Sequence, residues 1–164
     1  MKKILSFLIL FSAAFFTACA SKASFSDSKA VFISLKSPQI KLSEAGFLYK
    51  NEDGTRLEVY KLGQPLVTLE VGQKMICLNS KCALKSTFNK QFFQNAHYED
   101  FLSDILSKKP IYKGLNLKKN SCGYEQNILE KDYELFYKLC DGVVFFEDKK
   151  AGIKFSLKDS WCMS

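Results

Sequence analysis

The sequence is poor in the residues on which nucleic-acid recognition and most metal chemistry depend. It has one arginine, Arg56, and one histidine, His97. Phosphate backbones are gripped by clustered Arg and Lys, whereas the lysines here are scattered and accompanied by acids, which argues against nucleic-acid binding. A lone histidine and no CxxC pair leave no zinc-ligand spacing. No GxSxG, no HExxH and no glycine-rich phosphate loop occurs. The acid pairs Glu52-Asp53 and Glu99-Asp100 fall in a turn and at a helix start, where acids are common for structural reasons. No enzyme, cofactor or metal is expected. Three prolines and eight glycines in 164 residues exclude a disordered or collagen-like chain. There is no internal repeat and no alternation of strand and helix.

Apolar and aromatic residues are plentiful. The chain is 47% apolar, with fifteen Phe and seven Tyr, and its length suits one domain with one core. The formal charge is +7, or +5 without Lys2 and Lys3, a balance compatible with weak attraction to anionic lipid or to an acidic partner.

Residues 1–18 read as a leader. Lys2-Lys3 is a positive start, and Ile4–Phe16 is uncharged and mostly apolar but too short to span a bilayer. Phe16-Thr17-Ala18-Cys19 resembles a bacterial lipoprotein cleavage box, which makes Cys19 the expected lipidation site. The alternative is an ordinary secretory leader with an incidental cysteine. More than one acyl chain on Cys19 would anchor the protein durably. Residues 19–28 read as a short polar tether, and 29–164 as a single domain.

Within that domain, alternation predicts strands. Val31, Ile33 and Leu35 begin one, and Ile40 and Leu42 resume it after Pro38. Phe47–Val71 reads as two successive hairpins, with an Asp53-Gly54 turn and a Gly63-Gln64-Pro65 turn. Leu57 and Val59 share one face there, as do Val67, Leu69 and Val71. Leu66 directly follows a turn proline; it either opens a strand or stands exposed in a loop. Lys74–Leu78 and Lys81–Lys85 form another hairpin. Phe88, Phe92 and Phe93, then Phe101, Leu102, Ile105 and Leu106, recur at helical spacing, and Pro110 stops the second helix. Lys113–Asn120 reads as a loop and His97 as a surface residue at a helix start. Strands return over Cys122–Glu130, Asp132–Cys140, Val143–Glu147 and Ile153–Lys158, with a tight Asp141-Gly142 turn. The fold class is mainly β (α+β), an antiparallel meander interrupted by a helical insertion.

The cysteines fit this frame. Cys77 and Cys82 flank Asn79-Ser80 symmetrically, and Cys122 and Cys140 are symmetric about Lys131. Both are candidate disulfides in an oxidising compartment. Cys162 is left over.

The Phe47–Val71 stretch resembles LolB, the outer-membrane lipoprotein that receives other lipoproteins and inserts them. The carriers are the aromatic strand at Phe47, the Asp53-Gly54 turn, the apolar alternation, and Gly63, Pro65 and Leu66 in place of the family's Gly-Pro-Leu-like loop. The order of strands, helices and strands ending near Trp161 is similar too. Gln64 is inserted, and Val67 stands where the family often has Gly.

The resemblance implies an incomplete antiparallel β-barrel, LolA/LolB-like, enclosing helices and leaving an apolar cavity. It implies a periplasmic-facing outer-membrane location, a LolA-like periplasmic carrier, lipoprotein acyl chains and membrane lipid as partners, and no cofactor. Phe47, Tyr49, Leu57, Val59, Leu69, Phe145 and Phe155 would line the acyl-chain cavity, and Gly63, Pro65 and Leu66 would form the membrane-insertion loop. A chain of about fifteen methylenes gains roughly 12 kcal/mol on leaving water, so transfer would run mouth to mouth. The other class of function is a non-catalytic envelope lipoprotein, an interaction or adhesion module with a filled aromatic interior. A periplasmic enzyme would need a polar cluster inside.

Overall fold

The structure is a computed structural model and describes residues 27–160. The leader, Cys19, Trp161 and Cys162 lie outside the described residues.

Eleven antiparallel strands form one sheet. In chain order they are β1 (Asp27–Lys36), β2 (Lys41–Asn51), β3 (Gly54–Lys61), β4 (Gln64–Val71), β5 (Met75–Leu78), β6 (Lys81–Leu84), β7 (Leu117–Asn120), β8 (Gly123–Leu129), β9 (Glu134–Cys140), β10 (Val143–Asp148) and β11 (Ile153–Asp159). Between β6 and β7 come helix α1 (Lys85–Phe92), helix α2 (Phe101–Leu106) and a short turn at Ile111–Gly114. The spatial order is β6-β5-β4-β3-β2-β1-β11-β10-β9-β8-β7, so the sheet is open, with β6 and β7 at its edges. The helical insertion carries the chain from one edge to the other.

Most turns follow from sequence chemistry. Asn51 Oδ1 accepts hydrogen bonds from the backbone N–H of Asp53 (3.0 Å) and Gly54 (2.8 Å), closing the β2–β3 turn. Ser37 Oγ accepts one from Ile40 N–H at 3.0 Å and fixes the β1–β2 turn around Pro38. Two expectations need correction. The first strand pair is longer than the sequence suggested: β1 already starts at Asp27, inside the expected tether, and β2 runs unbroken through Gly46. The Lys113–Asn120 loop contains β7, which pairs with β8 from Leu117↔Gln126 to Asn120↔Gly123. Its polar residues suit an edge strand exposed to water.

One face of the sheet carries the core. Val31, Ile33, Leu48, Leu57, Val59, Val144, Phe146, Ile153 and Leu157 are buried there. Against them pack Phe93 and the buried α2 residues Phe101, Leu102, Ile105 and Leu106. The sheet therefore curls around its helical insertion, because strands from both halves contribute to one interior.

Both expected disulfides are formed. Cys77–Cys82 joins directly paired residues of β5 and β6, with Cα atoms 3.9 Å apart. Cys122–Cys140 ties the residue just before β8 to the end of β9, with Cα atoms 4.7 Å apart.

Candidate functional site: an apolar cavity under the helices

The interior has two halves of different character. On the β7–β9 side it is filled by rings. The His97 ring stacks on Phe101 with centroids 4.1 Å apart, and Phe93, Tyr112 and Tyr133 surround it edge-on. His97 Nδ1 lies 2.7 Å from the Tyr112 hydroxyl, and Nε2 has no partner among the described residues. His97 is 4% exposed, so it is a core residue and not the surface histidine the sequence suggested. Burial lowers its pKa to about 4, which keeps the ring neutral at pH 7. Gln126 completes this half. Its Nε2 donates to the carbonyls of Ile111 and Leu115, and its Oε1 accepts from Ile111 N–H, pinning the turn after α2.

On the β1–β5 side a cavity remains, of about 70 Å³. All eighteen residues around it are aliphatic or aromatic. The sheet contributes a floor that includes Ile33, Leu57, Val59, Leu69 and Phe155, and the roof is Phe88, Phe92 and Phe93 with α2. An apolar void of this kind stays dry, since water would find no polar partner. Phe88 and Phe92 are four residues apart on α1, stack with centroids 5.6 Å apart, and are only half-buried.

Few bonds hold α1 in place. Lys85 Nζ lies 2.6 Å from Asp100 Oδ1, and Asn89 Nδ2 donates to the Tyr98 carbonyl at 2.9 Å. At Tyr98 the hydroxyl donates to Asp104 Oδ2, and burial raises its pKa above the usual tyrosine value.

Of the seven residues that the resemblance assigned to the cavity, Leu57, Val59, Leu69 and Phe155 line it. Phe47, Tyr49 and Phe145 do not, and this is a correction. The register sets Leu48 opposite Leu57 and Phe47 opposite Glu58, so Phe47 and Tyr49 face outward with Glu58. On that outer face Phe47 packs against Tyr60 and Tyr49. Phe145 is outward for the same reason: its neighbours Val144 and Phe146 are the buried ones. The residues that sequence reasoning missed are Ile33, Leu35 and Leu42 and the helical aromatics. Their alternation and helical spacing were visible, but not which face they shared.

The Gly63-Pro65-Leu66 segment differs from the loop that the resemblance implied, and Leu66 follows the strand alternative. It is not a loop. Lys61 pairs with Gln64, so the β3–β4 turn consists of Leu62 and Gly63 alone. Pro65 lies in β4 opposite Tyr60, and Leu66 is passed over in the register as the extra residue of a bulge. Leu66 is 42% exposed, whereas Leu62 at the tip is 96% exposed. Leu62 has φ 50° and Gly63 φ 78°. Asn, Asp or Gly normally takes such a position in a two-residue hairpin. Leu62 is the only aliphatic among the non-glycine residues with positive φ in the described chain.

Cys122, Cys140 and Asp141 offer three ligand atoms within 4.8 Å of one another, but the two sulfurs are joined in a disulfide and cannot bind metal as thiolates. Among the described residues no helix is long and apolar enough to cross a membrane. No protein-family model matches the chain, and no curated protein matches it.

Proposed function

We propose that this chain is a lipid-anchored envelope protein that accepts lipoprotein acyl chains from a periplasmic carrier and passes them to the outer membrane, as its resemblance to LolB implies. The observation that carries the reading is the wholly apolar cavity between the open sheet and the helical insertion. No polar group lines it, so the ligand chemistry it suits is hydrocarbon. Anchoring would be through Cys19, and a LolA-like carrier would deliver the cargo.

The cavity as it stands is far below the roughly 300–1,000 Å³ of a ligand pocket. Entry of an acyl chain therefore requires α1 to move off the sheet, with Phe88 and Phe92 giving up their places to methylenes. The membrane-touching role passes from Leu66 to Leu62, whose side chain is fully exposed at a turn position that Asn, Asp or Gly would fill with less strain. Gly63 supports that tip by adopting the second positive φ, and Pro65 stiffens the strand behind it.

The test is binding of a fluorescent fatty acid by the purified full chain and by Leu69→Phe, which adds bulk at the cavity floor. Saturable binding that Leu69→Phe abolishes, with a melting temperature unchanged or raised, supports the reading. Absence of binding by the unaltered protein overturns it. The small cavity and the exposed outer cluster around Phe47 favour a second reading, a non-catalytic interaction or adhesion module. Depletion that piles up lipoproteins in the inner membrane separates the first reading from the second.

A further inference from the structure

The outer face of the sheet has a row of like charges across its middle strands, at the end that carries the β1–β2 turn. Lys36 on β1 lies directly opposite Lys41 on β2 and Lys154 on β11. Directly opposed residues of paired strands project to the same face, so three lysines stand side by side across three adjacent strands. Two residues along, Ser34 lies opposite both Ser43 and Ser156. Residues two apart share a face, so a row of three hydroxyls adjoins the row of three ammonium groups. All six residues border one depression of about 550 Å³.

The groups in this depression are mostly uncommitted. Lys154 Nζ is held by Glu147 Oε1 at 2.9 Å. Lys36 and Lys41 have no ion pair or side-chain hydrogen bond among the described residues, and neither do the three serine hydroxyls. One acid, Glu44, also borders the depression, 3.9 Å from Lys61. Like charges directly opposite one another destabilise a sheet. Lysines often guard sheet edges against wrong pairing, but β1, β2 and β11 are the middle of this sheet and their edges are already paired.

We propose that this depression binds a phosphate-bearing ligand. Lys36 and Lys41 supply the charge, Lys154 joins them, and Ser34, Ser43 and Ser156 donate hydroxyl hydrogen bonds to the phosphate oxygens. Opposed Cα atoms are about 5 Å apart, so three flexible lysine side chains converge on a single phosphate. Each ammonium has three donors and no acceptor, which suits an all-acceptor anion. The strands run antiparallel, so the β1–β2 turn and the Leu62-Gly63 tip lie at the same end of the sheet. The phosphate is that of a lipid headgroup or of a small soluble phosphate; the chemistry is common to both. The proposal stands without the acyl-chain reading, since its lysines and serines project from the other face, although Leu35, Leu42 and Phe155 border both the depression and the cavity.

The test compares the unaltered full chain with Lys36→Gln/Lys41→Gln and with Lys118→Gln/Lys119→Gln. The second variant removes the same charge from the β7 edge. Each is titrated with inorganic phosphate and glycerol phosphate, followed by phosphorus NMR. Each is also sedimented with vesicles of phosphatidylcholine alone and of equimolar phosphatidylcholine and phosphatidylglycerol. Lys36→Gln/Lys41→Gln should weaken binding about thirtyfold, at roughly fivefold per lysine, while the β7 variant stays near the unaltered value. Binding of the free phosphates assigns a small-anion site, and binding confined to phosphatidylglycerol vesicles assigns a lipid headgroup site. Equal losses in both variants, or no binding by the unaltered chain in either arm, overturn the proposal. The melting temperature of Lys36→Gln/Lys41→Gln should be unchanged or higher, because repulsion is relieved. A lower one would mean that the lysines serve the fold.

Discussion

Lys85, the first residue of α1, is buried, and its ammonium reaches Asp100, the residue that precedes α2, at 2.6 Å. Asp100 is itself mostly exposed. The two helices of the insertion are thus joined by a pair with one member in the interior and the other in water.

That asymmetry separates the two possible deletions. Asp100→Asn leaves a buried ammonium without its counter-charge and should cost about 1–3 kcal/mol in urea unfolding. Lys85→Met removes the charge along with the need for a partner and should be near neutral. Under the acyl-chain reading, Lys85→Met should also speed fatty-acid uptake, because α1 is then less firmly held. Equal destabilisation by both changes would show that the pair acts only as a packing contact.

Leu62 and Leu66 should respond differently to asparagine. Asn tolerates the left-handed conformation that Leu62 adopts, so Leu62→Asn should leave stability unchanged or raise it by up to about 1 kcal/mol. If the tip enters lipid, the same variant should accept cargo yet fail to deliver it to liposomes. Leu66→Asn changes a half-exposed strand residue and should cost about 1 kcal/mol or less. Full delivery by Leu62→Asn would remove the tip from the mechanism.

His97 makes the fold sensitive to acid. Its folded pKa, about 4, lies below the ordinary histidine value of 6.5. The unfolded chain therefore binds more protons between those values, and stability falls as pH drops from about 6.5 toward 4. The loss should approach about 3 kcal/mol at the lower limit. His97→Phe should flatten that part of the profile in urea titrations at several pH values. An unchanged slope would assign the acid sensitivity elsewhere.

The two disulfides should contribute unequally. Cys122–Cys140 spans 18 residues and Cys77–Cys82 spans five. Loop-closure entropy gives about 3 kcal/mol for the former and about 2 for the latter. Paired alanine substitutions followed by thermal melting should reproduce that order.

Much of the secondary structure was legible because alternation and turn chemistry are local. Asn51-Glu52-Asp53-Gly54 announced its turn, and Asp141-Gly142 announced another. The two disulfides could be read from hairpin symmetry alone. The facing of β2 could not. Phe47 and Tyr49 are aromatic and larger than their neighbours Gly46 and Leu48, which makes them look like the inner set. Gly46 decides otherwise: a Cβ there would sit 2.2 Å from the Glu58 carbonyl oxygen, so the inner row needs a bare position where β2 and β3 crowd. The sequence shows a glycine but not what approaches it. β7 was missed because a polar edge strand has no apolar face to alternate. The lysine row depends on β1 meeting β11, a pairing across the whole domain that no local pattern encodes.

That pairing also governs how the protein is made. Val31 pairs with Gly46 within one hairpin but with Asp159 at the other end of the described chain. The first strand of the described chain thus has its second neighbour at the far end of that chain. Until residues 153–159 are available, β1 is an open template in what will be the middle of the sheet, with Val31, Ile33 and Leu35 uncovered. Contacts of such long sequence separation form slowly and leave unpaired edges open to other chains. While that partner is absent, β1 keeps one unpaired edge, so how fast residues 153–159 dock should weigh on yield as well as final stability does.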